Sequence, residues 1–171
     1  GARYEGLGSL KESAAGAAAR IREYETLVND TEKAGKEIHA VRKKLDGAAL
    51  EFATPCNEFF DEQVEEMKKA IAAGAAPAEL AERLTLIRGM NEVMELQSVI
   101  QLETGKGQLL RDPKIIEEAA KKFVGMENEL NAIQKKSTQD STRNQLDEIR
   151  MAASSYKTNM KKLVVNSATL T

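Results

Sequence analysis

The chain has 171 residues, of which 42% are hydrophobic, 30% are charged and only 4% are aromatic. Its 25 basic and 27 acidic residues nearly cancel, which argues against a nucleic-acid-binding protein, since such proteins are normally strongly basic. The single cysteine excludes an intrachain disulfide, and the shortness of every apolar run excludes a membrane-spanning segment within this sequence.

The first predicted helix covers residues 3–73. Apolar or small side chains recur along it at steps that mostly alternate between three and four residues, which is the seam of a helix packed against long neighbours. Pro55 lies within this stretch, and Thr54-Pro55 also fits a helix start. The pattern therefore predicts either one kinked helix or two coaxial helices. The main seam residues are Leu7, Leu10, Ala14, Ala17, Ile21, Tyr24, Val28, Thr31, Ala34, Ile38, Val41, Leu45, Ala48, Phe52, Cys56, Phe59, Val64, Met67 and Ile71.

Three shorter helices are predicted after a turn at residues 74–77, and they cover residues 77–104, 113–136 and 139–168. Glycines at 105 and 107 are expected to end the second helix, and Asp112-Pro113 is expected to start the third. The polar run 137–140 separates the third helix from the fourth. Inward positions are expected at Leu80, Leu84, Ile87 and Met94, then at Ile116, Ala119, Ala120, Phe123, Met126, Leu130 and Ile133, and finally at Leu146, Ile149, Ala153, Tyr156, Met160 and Leu163.

Short turns between helices force neighbouring helices to be antiparallel. No segment has the two-residue period of a half-buried strand. The sequence therefore predicts an all-α, elongated antiparallel helical bundle of the four-helix type, with one domain over residues 1–171 and a very long first helix.

No set of residues predicts catalysis, a metal site or a cofactor. His39 is the only histidine, and Cys56 has no basic partner nearby in the sequence. The segment Thr104-Gly-Lys-Gly107 lacks both the preceding strand and the spacing of a phosphate-binding loop. Carboxylates alternate with lysines as they do on a solvated helix face. We therefore expect that the chain is not an enzyme and needs no cofactor.

Several polar side chains lie on or beside the apolar faces of the predicted helices. A guanidinium at the edge of a bundle core can clamp a carboxylate through two parallel hydrogen bonds, which would suit a ligand between helices. The alternative is a solvated flank for each arginine, and interhelical or water hydrogen bonds for the asparagine and tyrosine. The candidate ligand-binding residues are Arg20, Tyr24, Arg88, Asn91, Arg150 and Tyr156.

The sequence resembles the periplasmic sensor domains of bacterial methyl-accepting chemotaxis proteins, especially the helical bimodular and four-helix-bundle types. The resemblance rests on helix pattern and turn placement over most of the chain. It is carried by the segments Met90-Asn-Glu-Val-Met-Glu-Leu-Gln97, the turn through Gly105 to Asp112-Pro113, the turn Ser137–Ser141, Leu146-Asp-Glu-Ile-Arg-Met-Ala-Ala-Ser-Ser-Tyr156 and Leu163-Val164.

The resemblance implies a periplasmic domain of an inner-membrane receptor, tethered by segments outside this chain. It also implies a homodimer that binds a small organic anion, such as a carboxylate, between helices and signals by a small helix displacement. The family typically carries an arginine a few residues after Asn91, where this chain has Met94. Arg88 would have to take over that role. The alternative reading is a helical scaffold, a coiled-coil interaction module with no small-molecule ligand.

Overall fold

The computed structural model describes the backbone of residues 2–168 and the side chains of residue 8 and residues 10–168. Residue 1, residues 169–171 and the side chain of Leu7 lie outside the described residues. The part that is described is all-α, as predicted, and contains no strand. Its five helical segments are α1 (Ala2–Ala72), α2 (Pro77–Leu110), α3 (Pro113–Lys121), α4 (Phe123–Lys136) and α5 (Asp140–Ala168).

The helices form a four-membered antiparallel ring, in which α3 and α4 together make one member. They are separated only at Lys122, whose backbone remains in the right-handed helical region. Helix α1 contacts α2 and α5, and the α3–α4 rod closes the ring between α2 and α5. The predicted third helix is therefore interrupted at one residue, and the antiparallel four-helix arrangement is confirmed.

Helix α1 runs through Pro55 as one continuous helix, which rejects the alternative of two coaxial helices. Proline has no backbone N–H and weakens the helix at that point. Burial compensates, because Phe52, Cys56 and Phe59 on the same stretch are all at most 1% exposed. On the adjoining turn the Gln97 Nε2 atom donates a hydrogen bond to the Ala49 carbonyl oxygen at 2.9 Å, which ties α2 to the backbone of α1.

An aromatic cluster lies at the centre of the core. The Phe123 ring meets the Tyr156 ring edge-on, with 4.9 Å between the centroids, and Phe52 lies on the other side of Tyr156 at 6.2 Å. These three rings join α1, α4 and α5. The predicted inward faces of the third and fourth helices are buried as expected, except that Ala120 is half-buried.

The predicted end of the second helix at residue 104 is wrong, because α2 continues to Leu110. Two glycines lie in its last turns, and a glycine costs only about 1 kcal/mol in a helix interior. Gly107 brings a compensating gain in packing. A Cβ placed there would come within 2.6 Å of the Ile116 Cγ1 atom, so glycine is what lets α2 approach α3 so closely.

The predicted inward face of the second helix is also wrong. Leu84 is 46% exposed, and Leu80, Ile87 and Met94 are only half-buried. The helix is rotated because Gly89 faces Ile133, where a Cβ would come within 2.7 Å of the Ile133 Cγ1 atom. Gly89 therefore lies on the side of α2 that packs against α4. The prediction missed this side because it was based only on large apolar residues. The buried residues of α2 are Leu86, Met90, Val93, Gln97, Ile100, Thr104 and Gly107.

The first half of α1 extends beyond the bundle. Every described side chain from residue 8 to residue 33 is exposed, and burial begins in earnest at Leu45. Beyond Phe59 the predicted seam is wrong, because Ile71 is 57% exposed whereas Gln63 and Ala70 are buried. Before that point the seam has two environments. From Leu45 to Phe59 it faces α2 and α5, whereas Ile21 and Tyr24 are 59% and 68% exposed in the single chain.

Candidate functional site

The structure does not gather the six candidate ligand-binding residues into one site. Arg20 and Tyr24 are on the exposed half of α1. Asn91 is also exposed, and its Nδ2 atom donates to the Glu95 Oε1 atom at 2.8 Å on the same helix. The remaining three line separate surface grooves: Arg88, Arg150 and Tyr156. Whether any of the six binds a ligand stays a prediction.

The groove at Arg88 lies between α2 and α4 and contains a carboxylate pair. Glu92 and Glu129 face each other across it, and burial together with the Glu92 charge and a hydrogen bond between the two side chains raises the pKa of Glu129. The groove is also lined by Lys136, so its two cations and two carboxylates balance in formal charge.

The groove at Arg150 lies between α4 and α5. The Arg150 guanidinium already donates to the Gln134 side-chain oxygen, and the Gln134 Nε2 atom donates to Asp147 at 2.6 Å. Opposite them, Lys157 pairs with Glu127 at 2.7 Å. These side chains satisfy one another along the rim. Arg150 is exposed, as in the solvated-flank alternative predicted for each arginine, and it also makes this interhelical hydrogen bond.

Tyr156 is 1% exposed and belongs to the core rather than to an open surface. Burial and the nearby Asp46 carboxylate raise the pKa of its phenol. The cavity beside it, of about 180 Å³, is lined in part by Arg42, Asp46 and Thr104. The Thr104 hydroxyl is already engaged, because it donates to the Ile100 carbonyl oxygen at 2.6 Å. Packing therefore accounts for Tyr156 without a ligand.

Another cavity lies at the end of the bundle where α2 begins and where α4 connects to α5, and we call it the distal cavity. It has a volume of about 210 Å³ and is enclosed by α1, the first turns of α2, the connection between α4 and α5, and the start of α5. Its lining is mostly polar. The lining residues are Gln63, Glu79, Glu82, Arg83, Leu86, Ser137, Thr138, Gln139 and Thr142.

Arg83 is the group in the distal cavity that most needs a further partner. Its side chain is only 12% exposed, yet its Nη2 atom lies 3.6 Å from the Glu79 Oε1 atom and 3.9 Å from the Glu66 Oε2 atom, both long for hydrogen bonds. The Arg83 Nε atom is buried and has no hydrogen-bond partner among the described residues. A buried donor without an acceptor costs about 1–3 kcal/mol.

Hydroxyl and amide groups line the same cavity as Arg83. Ser137 and Thr142 are nearly fully buried, and Gln63 reaches the cavity from α1 with only 3% exposure. The Arg143 Nε atom donates to the Ser137 carbonyl oxygen at 2.9 Å and so holds the connection before α5 in place. The cavity thus presents fixed polar groups from three helices, an arrangement typical of a small-ligand site.

Arg83 was missed as a site residue because its environment depends on the whole fold. In the sequence it is one of several arginines beside an apolar stripe, and the hydroxyl run at 137–142 fits the capping residues of a turn. The order in which the helices are connected is the sequence information that could have identified Arg83. In an antiparallel bundle the start of the second helix and the start of the fourth lie at the same end, which brings Arg83 to Thr142.

Cys56 is not a candidate nucleophile. It is completely buried, and desolvation raises the pKa of its thiol to about 12, so the thiolate is disfavoured at neutral pH. Within the described residues there is no group of three or more His, Cys, Asp or Glu side chains placed to hold a metal ion.

Comparison with known proteins yields no match to any family model, curated protein or solved structure. Among the described residues, no helix combines the length and the apolar character needed to cross a membrane.

Proposed function

We propose that this chain is the extracytoplasmic sensor domain of a chemoreceptor and binds a small carboxylate in the distal cavity. The observation that carries the proposal is the largely buried Arg83 guanidinium at the wall of a cavity of about 210 Å³ between helices, since its Nη2 atom makes only long contacts, at 3.6 Å to Glu79 and 3.9 Å to Glu66. A carboxylate suits a guanidinium because it accepts two parallel hydrogen bonds. The resemblance to periplasmic sensor domains supplies the biological setting, a periplasmic module tethered to the inner membrane.

Binding at this position would act on the packing of the bundle. Gln63 belongs to α1, Arg83 to α2, and Ser137 to the connection before α5. A ligand that bridges these elements favours the arrangement in which they are close together. The population of any other arrangement falls, by an amount set by how much more weakly that arrangement binds the ligand. A coupling free energy of about 1–3 kcal/mol is typical of such a signal.

The test is a thermal-shift screen of the purified chain against short carboxylic and amino acids at millimolar concentration. A ligand that binds only the folded state raises the melting temperature. We expect at least one acid to raise it, and we expect Arg83→Gln to abolish the shift, because the variant lacks the charge and the Nη donors of the guanidinium.

Arg88→Gln and Arg150→Gln are the matched controls, since both arginines line other grooves. They should retain the shift. The melting temperature of each variant without ligand shows whether it is folded. No shift with any acid would contradict the sensor proposal, and a shift lost in Arg88→Gln but kept in Arg83→Gln would place the site in the groove between α2 and α4.

The exposed half of α1 favours a second function, that of a helical interaction module. Along this face Leu10, Ile21 and Tyr24 are each more than half exposed in the single chain. We propose that the partner is a second copy of the chain, packed parallel and in register. In that register Ile21 and Tyr24 occupy core positions of a heptad, and Arg20 of one copy faces Glu25 of the other with opposite charge.

Sedimentation equilibrium tests the proposed dimer. We expect the chain to self-associate, and we expect Ile21→Glu to weaken association at least tenfold because it buries a charge in the seam. Leu102→Glu is the control, since Leu102 is 75% exposed on α2. Arg20→Glu should also weaken association, and adding Glu25→Arg should restore it. A chain that stays monomeric at all concentrations, or a dimer unaffected by Ile21→Glu, would rule out this interface.

A further inference from the structure

Helices α2 and α4 are in contact at two points that are about two helical turns apart. At the first point, Gly89 lies so close to α4 that a Cβ there would come within 2.7 Å of the Ile133 Cγ1 atom. At the second point, a Cβ on Gly125 would lie 3.6 Å from the Leu96 Cδ1 atom, an ordinary contact distance. These two contacts set the spacing of the helices on both sides of the segment between them.

Glu92 and Glu129 lie between these two points, one on each helix, and line the same groove of about 300 Å³. Burial, the charge of Glu92 and a hydrogen bond between the two side chains together raise the pKa of Glu129. A hydrogen bond between two carboxyl groups needs a proton, because an ionised carboxylate can only accept. Two ionised carboxylates at this place repel each other, whereas a pair that shares one proton is held together.

The cations of the groove do not neutralise this pair directly. Arg88 of α2 and Lys136 of α4 line the groove, but neither forms an ion pair with Glu92 or Glu129 in the part of the chain that the structure describes. The protonation of the pair therefore depends mainly on the two glutamates themselves. The other charged groups that approach α2 or α4 take part in other contacts or line other grooves, and they are Asp46, Glu66, Glu95, Glu103, Lys122, Asp147, Arg150 and Lys157.

We propose that the contact between α2 and α4 is a proton switch, in which a proton shared by Glu92 and Glu129 ties the two helices together in mild acid. At neutral pH the proton is lost, and the repulsion between the carboxylates loosens the contacts on either side. The stability that the pair contributes is fully present below the ordinary glutamate pKa of about 4.3, and it is lost as the pH rises through the raised pKa of Glu129. Acidity is then an input to the bundle that needs no ligand in the distal cavity.

NMR titration of the glutamate carboxyl carbons in the intact chain tests the shared proton. We expect Glu129 to titrate at a higher pH than Glu148, which is exposed on α5. We expect Glu92→Gln to lower the Glu129 midpoint by about half a pH unit or more, because this variant removes the neighbouring charge. Glu95→Gln is the matched control on the same helix and should leave the midpoint unchanged. A Glu129 midpoint no higher than that of Glu148, or one that Glu92→Gln does not lower, would overturn the proposal.

The nuclear Overhauser cross-peak between the Gly89 α-protons and the Ile133 methyl protons tests whether the proton moves the helices. We expect this cross-peak to lose intensity as the pH rises through the Glu129 midpoint. It should stay intense at neutral pH in Glu129→Gln, whose neutral side chain replaces the protonated form. The cross-peak between the Phe123 and Tyr156 rings, whose centroids are 4.9 Å apart, is the control and should not change. A Gly89–Ile133 cross-peak that is independent of pH, or one that weakens equally in Glu129→Gln, would overturn the switch.

Discussion

Replacing Phe123 by alanine is expected to lower the free energy of unfolding by about 3–5 kcal/mol, the usual range for a fully buried phenylalanine. Phe123 is completely buried and packs edge-on against Tyr156. The substitution removes apolar surface from the core, leaves a cavity between α4 and α5, and removes a favourable contact between the two rings. Urea titration followed by circular dichroism measures the loss.

Val124→Ala is the matched control because Val124 is the next residue along the chain and is 57% exposed. It should change the free energy of unfolding by no more than about 0.5 kcal/mol. Labelling of Cys56 supplies a second probe of the bundle, since this thiol is buried and becomes reactive when the core opens. A Phe123→Ala variant as stable as Val124→Ala would show that the described core packing is wrong.

Gly107→Ala is expected to be less stable than Gly105→Ala by about 1–3 kcal/mol, although both replace a glycine with a better helix former in the last turns of α2. At residue 107 the new Cβ would meet the Ile116 Cγ1 atom at 2.6 Å and the Asp112 carbonyl oxygen at 3.2 Å. At residue 105 it would meet nothing within 4 Å. Both variants gain the same helix propensity. The difference between their free energies of unfolding therefore measures the steric crowding around residue 107.

The same urea titration measures this pair. Gly105→Ala alone should raise the free energy of unfolding by up to about 1 kcal/mol, because alanine loses less conformational freedom than glycine when a helix forms. Equal gains in both variants would mean that α2 does not approach α3 at residue 107. A loss in Gly105→Ala would mean that the helix ends near residue 104, as the sequence pattern predicts.

Periodicity predicted the parts of the fold in which large apolar side chains define the buried face. It succeeded for Phe123 and Leu130 in the third predicted helix and for Leu146 and Tyr156 in the fourth. It failed in α2, where Gly89 packs against Ile133 and Gly107 is buried against Ile116. A glycine reads locally as a helix breaker, and only the position of the neighbouring helix reveals it as a point of close approach.

The candidate site was less predictable than the fold. Arg83 differs from Arg88 and Arg150 by its burial and by the acceptors that it lacks, and both properties arise from segments more than 50 residues apart in the chain. The sequence could show that arginines border apolar stripes. It could not show which guanidinium would line the distal cavity, since that depends on the rotation of α2 and on the connection before α5.

The extension of α1 beyond the bundle has a mechanical consequence. The helix is anchored in the core from about residue 45 onward, and the part before that anchor contains no proline. At 1.5 Å per residue, this arm is roughly 65 Å long. A tilt of about 2° at the anchor would displace the far end by roughly 2 Å. A small change in the tilt of α1 within the bundle would therefore produce a larger displacement at the start of the helix, far from the core.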